Sequence, residues 1–216
     1  MTEPAHPLLG GRSVAVLLAA GAGTRLGRGP KALLPHRGRP LVEHVARVLL
    51  GGGCDDVVVV LGADAARVAA AADRLAEPAA RVVVNDRWAT GMASSLQAGV
   101  AAALEPLDGP VARLVVAHVD QPGVTPDDVA RLLAAHRPGR VTASRWAGAP
   151  APEEGTPRWS HPLVLDAALA GPAAASAEGD AGARAFLRAH ADLIDVVTHP
   201  GDGRDLDTEA DLDLLA

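Results

Sequence analysis

The sequence predicts an α/β fold whose mostly parallel sheet is covered by helices on both faces, and its patterning predicts this twice over. Continuous apolar runs of strand length, rich in Val and Leu, alternate with longer Ala/Leu/Arg segments of helical character. The apolar share of the 216 residues is 49%, yet it includes one Phe, three Trp and no Tyr, so the core must be aliphatic. This length is long for one domain and short for two. Apolar strand signals resume after each Pro/Gly-rich stretch, so one domain over residues 1–216 is expected.

In chain order, Val14–Ala20 is an apolar run of strand length and Pro40–Leu50 a helical segment. Asp56–Leu61 is a near-continuous valine strand, and Asp64–Leu75 is helical. Arg81–Val84 is the third strand. The helix Ser94–Leu104 opens on Ser94-Ser95-Leu96-Gln97, which fits a capping box with Gln97 three residues after Ser94. Arg113–Val119 is a buried strand, and the next helix, Pro126–His136, carries Thr125 as N-cap, a first-position proline and first-turn acids. Arg140–Ala143 is the fifth strand. Arg145–Arg158 breaks the alternation and reads as a surface excursion or a lid beside the site, and Gly171–Gly179 is a second such stretch. The pattern closes with a helix Ala181–Ala191 that Asp180 is placed to cap, a strand Ile194–Thr198 and a helix Thr208–Leu215.

Charge and composition exclude several function classes. Net charge is −6, from 20 basic and 26 acidic side chains, with no basic stripe for nucleic acid and too few aromatics for a base-stacking platform. A single cysteine, Cys54, forms no internal disulfide and suits a reducing compartment. Glu3 and Pro4 stand where a secretory signal would be apolar, and no run approaches membrane-spanning length, so a cytoplasmic protein without membrane partners is expected.

The most informative stretch runs from Val14 to Lys31, where the first strand breaks into a loop of four glycines that also holds Arg25 and Lys31. Glycines let backbone N–H groups approach an anion, and two cations of different reach then face phosphate oxygens. A Walker A loop requires Gly-Lys-Ser/Thr, but Lys31 lies between Pro30 and Ala32. A Rossmann fingerprint fails because its third glycine, Gly27, comes one position late, and the second strand ends near Leu61, roughly twice as far along as that pattern allows. A long loop able to wrap a triphosphate remains, beside the alternative of an ordinary glycine-rich connection.

The string LAAGAGTRLGRGPKALLP is more specific than its glycines, and it resembles the signature of the MobA-like NTP transferase family. The resemblance is strongest to the molybdenum cofactor cytidylyltransferase branch and implies a doubly wound sheet of the GT-A-like nucleotide-diphospho-sugar transferase type. It continues through Gly91–Gly99, similar to the second nucleotide-binding segment, and Asp120-Gln121-Pro122, similar to an Asp-x-Pro metal motif at a strand's carboxyl end. Asp205-Leu206-Asp207-Thr208 resembles the family's acidic ending, with Ala210 or Glu209 where a proline is usual. Ser160-His161-Pro162 resembles Gly-His-Pro, and Gly179–Arg184 resembles Gly-Asp-x-Gly-Ala-Arg.

The resemblance implies a Mg²⁺-dependent nucleotidyltransferase that takes a nucleoside triphosphate and a small phosphorylated acceptor such as molybdopterin, with a molybdoenzyme or chaperone as protein partner. In that reading Arg25, Lys31 and Asp120 are catalytic. Leu18, Ala19, Ala20, Gly21, Gly23, Thr24, Arg25, Lys31, Ser94 and Ser95 bind the nucleotide. His161, Asp180, Gly182 and Arg184 bind the acceptor, although Arg184 reads equally as a solvated helix residue. Asp120 and Asp207 hold the metal, with Asp205 in reserve, while capping alone would account for Ser94 and Thr208. Ala20, where guanylyl relatives carry glycine, and the Asp-Gln-Pro form favour CTP over GTP. His118 reads as a packed strand histidine. Two alternatives stand beside this reading: an enzyme similar to the nicotine blue oxidoreductases, using a reduced nicotinamide cofactor, and a non-catalytic nucleotide-binding cofactor carrier.

Overall fold

The computed structural model describes residues 11–71, 79–105, 109–150 and 159–216. The chain begins with β1 (Arg12–Ala19), the short hairpin β2 (Pro35–His36) and β3 (Arg39–Pro40), and α1 (Leu41–Gly51). Next come β4 (Asp56–Leu61), α2 (Ala65–Ala71), β5 (Ala80–Val84), α3 (Met92–Leu104) and β6 (Val111–His118). After α4 (Pro126–Ala135) and β7 (Val141–Trp146) it continues through β8 (Ser160–Asp166), α5 (Ala167–Ala175), α6 (Arg184–Ala189) and β9 (Ile194–His199). Residues Glu209–Leu215 form 3-10 turns.

Seven strands make one sheet in the order β5-β4-β1-β6-β8-β7-β9. Only β8 opposes the rest, pairing antiparallel with β6 and β7. The mostly parallel α/β architecture expected from the alternating pattern is therefore present. Both faces are covered because the middles of the central strands are continuously apolar, as at residues 14–19, 57–61 and 114–117. Ala15, Leu17, Val57, Val59, Leu61 and Val115 pack on the face of α1 and α4. Val14, Val16, Val58, Val60, Leu114 and Val116 pack on the face of α3 and α5. At Gly99 a Cβ would stand 2.4 Å from a Val16 methyl and 2.7 Å from a Val60 methyl, so the α3 backbone lies directly on the sheet. Among the described residues no helix is long and apolar enough to cross a membrane.

The strand Asp56–Leu61 has the predicted bounds, and the other predicted strands and helices lie within three residues of theirs where described. Residues 72–75 of the predicted second helix and 151–158 of the Arg145–Arg158 stretch lie outside the described residues. Four local expectations need correction. Gly171–Gly179 is not a loop throughout, because its first part completes α5 with Pro172 inside the helix and Asp166 accepting the Ala168 amide at its start. Ser94 does not cap α3: the helix begins at Met92 with Gly91 before it. Asp180 does not cap the helix that follows but accepts the Met92 N–H at the start of α3, at 3.4 Å. Finally, the last predicted helix is 3-10, although Thr208 caps it through a reciprocal box with Asp211. Thr125 caps α4 ahead of a first-position proline and first-turn acids as predicted, and Asp128 completes a capping box with it.

Gly99→Ala tests the close approach of α3. The overpacked methyl is expected to outweigh alanine's helix preference and leave a net loss of about 1–2 kcal/mol. Urea unfolding measures it, and an unchanged or raised midpoint would contradict the packing described.

Candidate active site

Parallel strands bring their carboxyl ends to one edge of the sheet, and the loops leaving that edge carry the charged residues. After β1 the chain enters the glycine loop. Gly23 has φ +65°, and a Cβ there would meet the Gly29 carbonyl oxygen at 2.0 Å, so the loop folds onto itself at a point open only to glycine. The Gly27 N–H closes the coil on the Gly23 carbonyl at 3.1 Å. The loop then passes Pro30 into a single 3-10 turn, Lys31–Leu33.

That turn delivers the Lys31 ammonium to two carboxylates from distant parts of the chain. Its Nζ donates to Asp120 Oδ2 at 2.9 Å and to Asp207 Oδ1 at 2.5 Å. Burial opposes the lysine charge, but Asp120 and Asp207 outweigh it and hold its pKa above the ordinary value. Arg25, largely exposed, reaches Asp207 at 4.0 Å, and Arg28 reaches Glu209 at 3.7 Å. The glycine loop is thus drawn by charge toward the segment that bears Asp207.

Asp120 sits just beyond β6, where the Val119 N–H extends the strand by bonding the Leu18 carbonyl at 3.1 Å. The Asp120 carbonyl accepts the Leu206 N–H at 2.8 Å, and Gln121 Nε2 donates to Asp205 Oδ1 at 2.9 Å. Leu206 is fully buried in the α1/α4 core between the two acids. These contacts fasten residues 205–207 against the end of β6. Asp205 lies close to Asp120 and Asp207, and burial first, then the Asp120 charge, pushes its pKa up to about 6.

The donors suit a hard divalent cation. Asp120 Oδ1 is buried without a hydrogen-bond partner, and Asp120 and Asp207 already converge on one positive charge. Among the described residues no group of three or more His, Cys, Asp or Glu forms a ready metal cage. A cation held here would complete its shell from phosphate oxygens and water, as Mg²⁺-type ions do.

The remaining predicted residues fall into three groups. Leu18, Ala19 and Ala20 are buried under the loop, with the Ala20 carbonyl accepting the Ala63 N–H at 3.0 Å, whereas Gly21 and Thr24 are exposed. Ser94 and Ser95 are buried, and their hydroxyls accept from Asn85 Nδ2 at 2.8 and 3.0 Å. Ser94 Oγ also lies 3.0 Å from the carbonyls of Arg87 and Gly91 as a donor. Asn85, at the carboxyl end of β5, is a residue that the sequence reading missed; a lone amide closing an apolar strand was its only signal.

The acceptor-side residues meet at the same edge. Because β8 runs against its neighbours, its first residues lie where the others end, and His161 stacks on His118 with ring centroids 4.0 Å apart. Burial lowers the pKa of both rings, and the Arg184 charge lowers each further, while Asp120 pulls that of His118 up. His118 packs in the strand as expected, with its Nε2 buried without a hydrogen-bond partner. The Gly179–Gly182 turn docks on α3: a Cβ at Gly91 would stand 2.5 Å from the Gly179 carbonyl carbon, and one at Gly182 would stand 3.4 Å from Met92 Sδ. The Asp180 carboxylate is therefore engaged with the helix start. Cys54 is buried with its pKa pushed up to about 12 by burial and Asp55, which makes it an inert thiol.

Comparison with known proteins gives the family and agrees with the fold. The MobA-like NTP transferase domain family matches residues 15–193. A protein called nicotine blue oxidoreductase, from Paenarthrobacter nicotinovorans, is 49% identical over 195 residues, covering 89% of this chain and 91% of that one. The structure of Rv0371c from Mycobacterium tuberculosis H37Rv in complex with manganese superposes with a TM-score of 0.69 at 25% identity, covering 95% and 98% of the two chains. A nucleotidyl transferase from Methanothermobacter thermautotroptrophicus (Mth528) superposes with a TM-score of 0.74 over 94% of each chain, and at 24% identity that likeness speaks for the fold alone.

Asp205 gives the site a pH signature. Its folded pKa lies near 6, above the ordinary 3.8, so the folded state holds the proton more tightly. Its contribution to stability is full below 3.8 and is lost as pH rises through 6. Asp205→Asn, which keeps an acceptor for Gln121, is expected to raise the melting temperature at pH 7.5 and to flatten the wild-type change between pH 4 and pH 7. Thermal melts across that range check it, and identical pH profiles would refute the assignment.

Proposed function

Because the chain belongs to the MobA-like NTP transferase family, we propose that it transfers a nucleoside monophosphate from a nucleoside triphosphate to a small phosphorylated acceptor, releasing pyrophosphate. The observation that carries this reading is the meeting of Lys31, Asp120 and Asp207 beneath a glycine loop that bears Arg25. Cytidine is favoured over guanosine on the strength of Ala20 and Asp120-Gln121-Pro122, and a molybdopterin-type phosphate is the acceptor that the same resemblance favours.

The reaction joins an acceptor phosphate oxygen to the α-phosphorus while the bond from that phosphorus to the bridging oxygen breaks. The electron pair leaves with pyrophosphate. No covalent enzyme intermediate is required, so catalysis rests on positioning and charge. The coiled backbone of Gly21–Gly29 offers N–H groups to the triphosphate, and the exposed Arg25 holds the departing pyrophosphate. Lys31 balances the charge that builds on the α-phosphate. Asp120 and Asp207 would hold Mg²⁺, which neutralises triphosphate charge when bound. Asn85 fixes Ser94 and Ser95, so the first turn of α3 presents its backbone N–H groups to the nucleotide in a set orientation. His118, His161 and Arg184 line the acceptor side. Both imidazoles are neutral near pH 7 and supply a flat uncharged wall, and Arg184 supplies the positive charge that an acceptor phosphate needs.

A second reading rests on the 49% identical relative, which is called an oxidoreductase. There the same pocket would hold a reduced nicotinamide cofactor and a flat dye-like substrate against the histidine wall.

One pair of assays separates the two. Purified protein with Mg²⁺, CTP and a molybdopterin-type acceptor is expected to release pyrophosphate, faster than with GTP, and Asp120→Asn is expected to slow release by at least about a hundredfold. No pyrophosphate with any nucleotide, together with oxidation of NADPH in the presence of the blue dye, would transfer the assignment to the second reading.

A further inference from the structure

Lys31 is the only lysine in a chain with 20 lysine and arginine residues together. Arginine serves every other cationic position in this sequence, including the multi-bonded Asp195 pairs with Arg137 and Arg140. A guanidinium is a flat fork suited to one carboxylate edge, whereas an ammonium is a compact point charge with donors in several directions. Lys31 uses that geometry, giving one N–H to Asp120 and another to Asp207, which lie 89 and 176 residues away in the sequence. A divalent cation asks the same of its surroundings: oxygen atoms from separate segments around one point of positive charge.

We propose that in the nucleotide-free protein Lys31 fills the position of the divalent cation, so that the cation binds weakly alone and tightly only with a triphosphate, to which the ammonium passes. The inference rests on reading the site as a triphosphate site. The ammonium and the metal compete for the same two oxygens, Asp120 Oδ2 and Asp207 Oδ1. If a metal ion arrives alone, Lys31 must leave both carboxylates with nothing to pair with, and its half-buried charge makes that costly. A triphosphate arriving with the metal supplies the replacement partner, so the exchange becomes favourable. Asp207 keeps 42% of its side chain exposed, so the incoming ion has an open side from which to displace the lysine, and Asp120 Oδ1, buried without a hydrogen bond, is left to complete its coordination. Metal and nucleotide binding are then coupled through one side chain, and each tightens the other by the same factor.

The test follows Mn²⁺ binding by electron paramagnetic resonance without nucleotide. Wild-type protein is expected to bind weakly, and Lys31→Met at least about tenfold more tightly, while Lys31→Arg, which keeps a cation, stays within a few-fold of wild type. Adding a non-hydrolysable CTP analogue should tighten Mn²⁺ binding by wild type far more than by Lys31→Met. A Lys31→Met protein of native circular dichroism that binds Mn²⁺ no more tightly than wild type overturns the proposal. If that variant does not fold, wild type alone suffices, since its single lysine can be followed by mass spectrometry during acetylation. Saturating Mn²⁺ should accelerate modification of Lys31, and an unchanged or slower rate overturns the proposal. Neither measurement needs an acceptor or turnover, so a failed transferase assay leaves them readable on their own.

Discussion

The ammonium between Asp120 and Asp207 is the contact on which the rest of the site depends. Three carboxyl groups crowd one sheet edge, and in the absence of a bound cation Lys31 is the charge that lies between two of them. Its position in turn requires a loop that coils back on Gly23, because a side chain there would strike the Gly29 carbonyl and push Lys31 out of reach. It also requires residues 205–207 to lie along the end of β6, which the buried Leu206 and the bond from Gln121 to Asp205 secure. Fold and charge are therefore mutually dependent: packing assembles the acids, and the lysine makes their assembly tolerable.

Much of this was legible in the sequence, for identifiable reasons. Asp56–Leu61 showed its bounds because an unbroken valine run between turn residues has one reading. β8 escaped notice because Ser160-His161-Pro162 reads as a site motif and the apolar stretch behind it, Leu163 to Leu165, is only three residues long. α5 was hidden by Gly171 and Pro172, whose usual meaning as breakers is overridden by alanine packing against the sheet. At the site, Lys31 was legible in the glycine loop itself, but its grouping with Asp120 and Asp207 came from likeness to a family, since no periodicity could show that residues so far apart share a few ångströms. Asn85, which donates to the hydroxyls of Ser94 and Ser95, was not legible, because a sequence does not record which buried neighbour reaches a hydroxyl.

The single antiparallel strand sets the character of the edge beside Asp120. A parallel strand would have brought its last residue to the functional edge; β8 brings its beginning, and with it the His161 ring to stack on His118. The result is a region where charge stops: acids and Lys31 on one side, two neutral imidazoles on the other, with Arg184 acting on both rings. Such a boundary suits a substrate that is anionic at one end and flat at the other, a description that both proposed readings share.

The fastening of residues 205–207 to the end of β6 also has a consequence in time. A chain emerging from the ribosome completes every strand of the sheet before Asp207 appears. During that interval Lys31 and Asp120 have each other but lack the third member, and the half-built edge holds neither its full charge nor its geometry. The sheet is thus specified before the segment that carries Asp207 can dock against the end of β6.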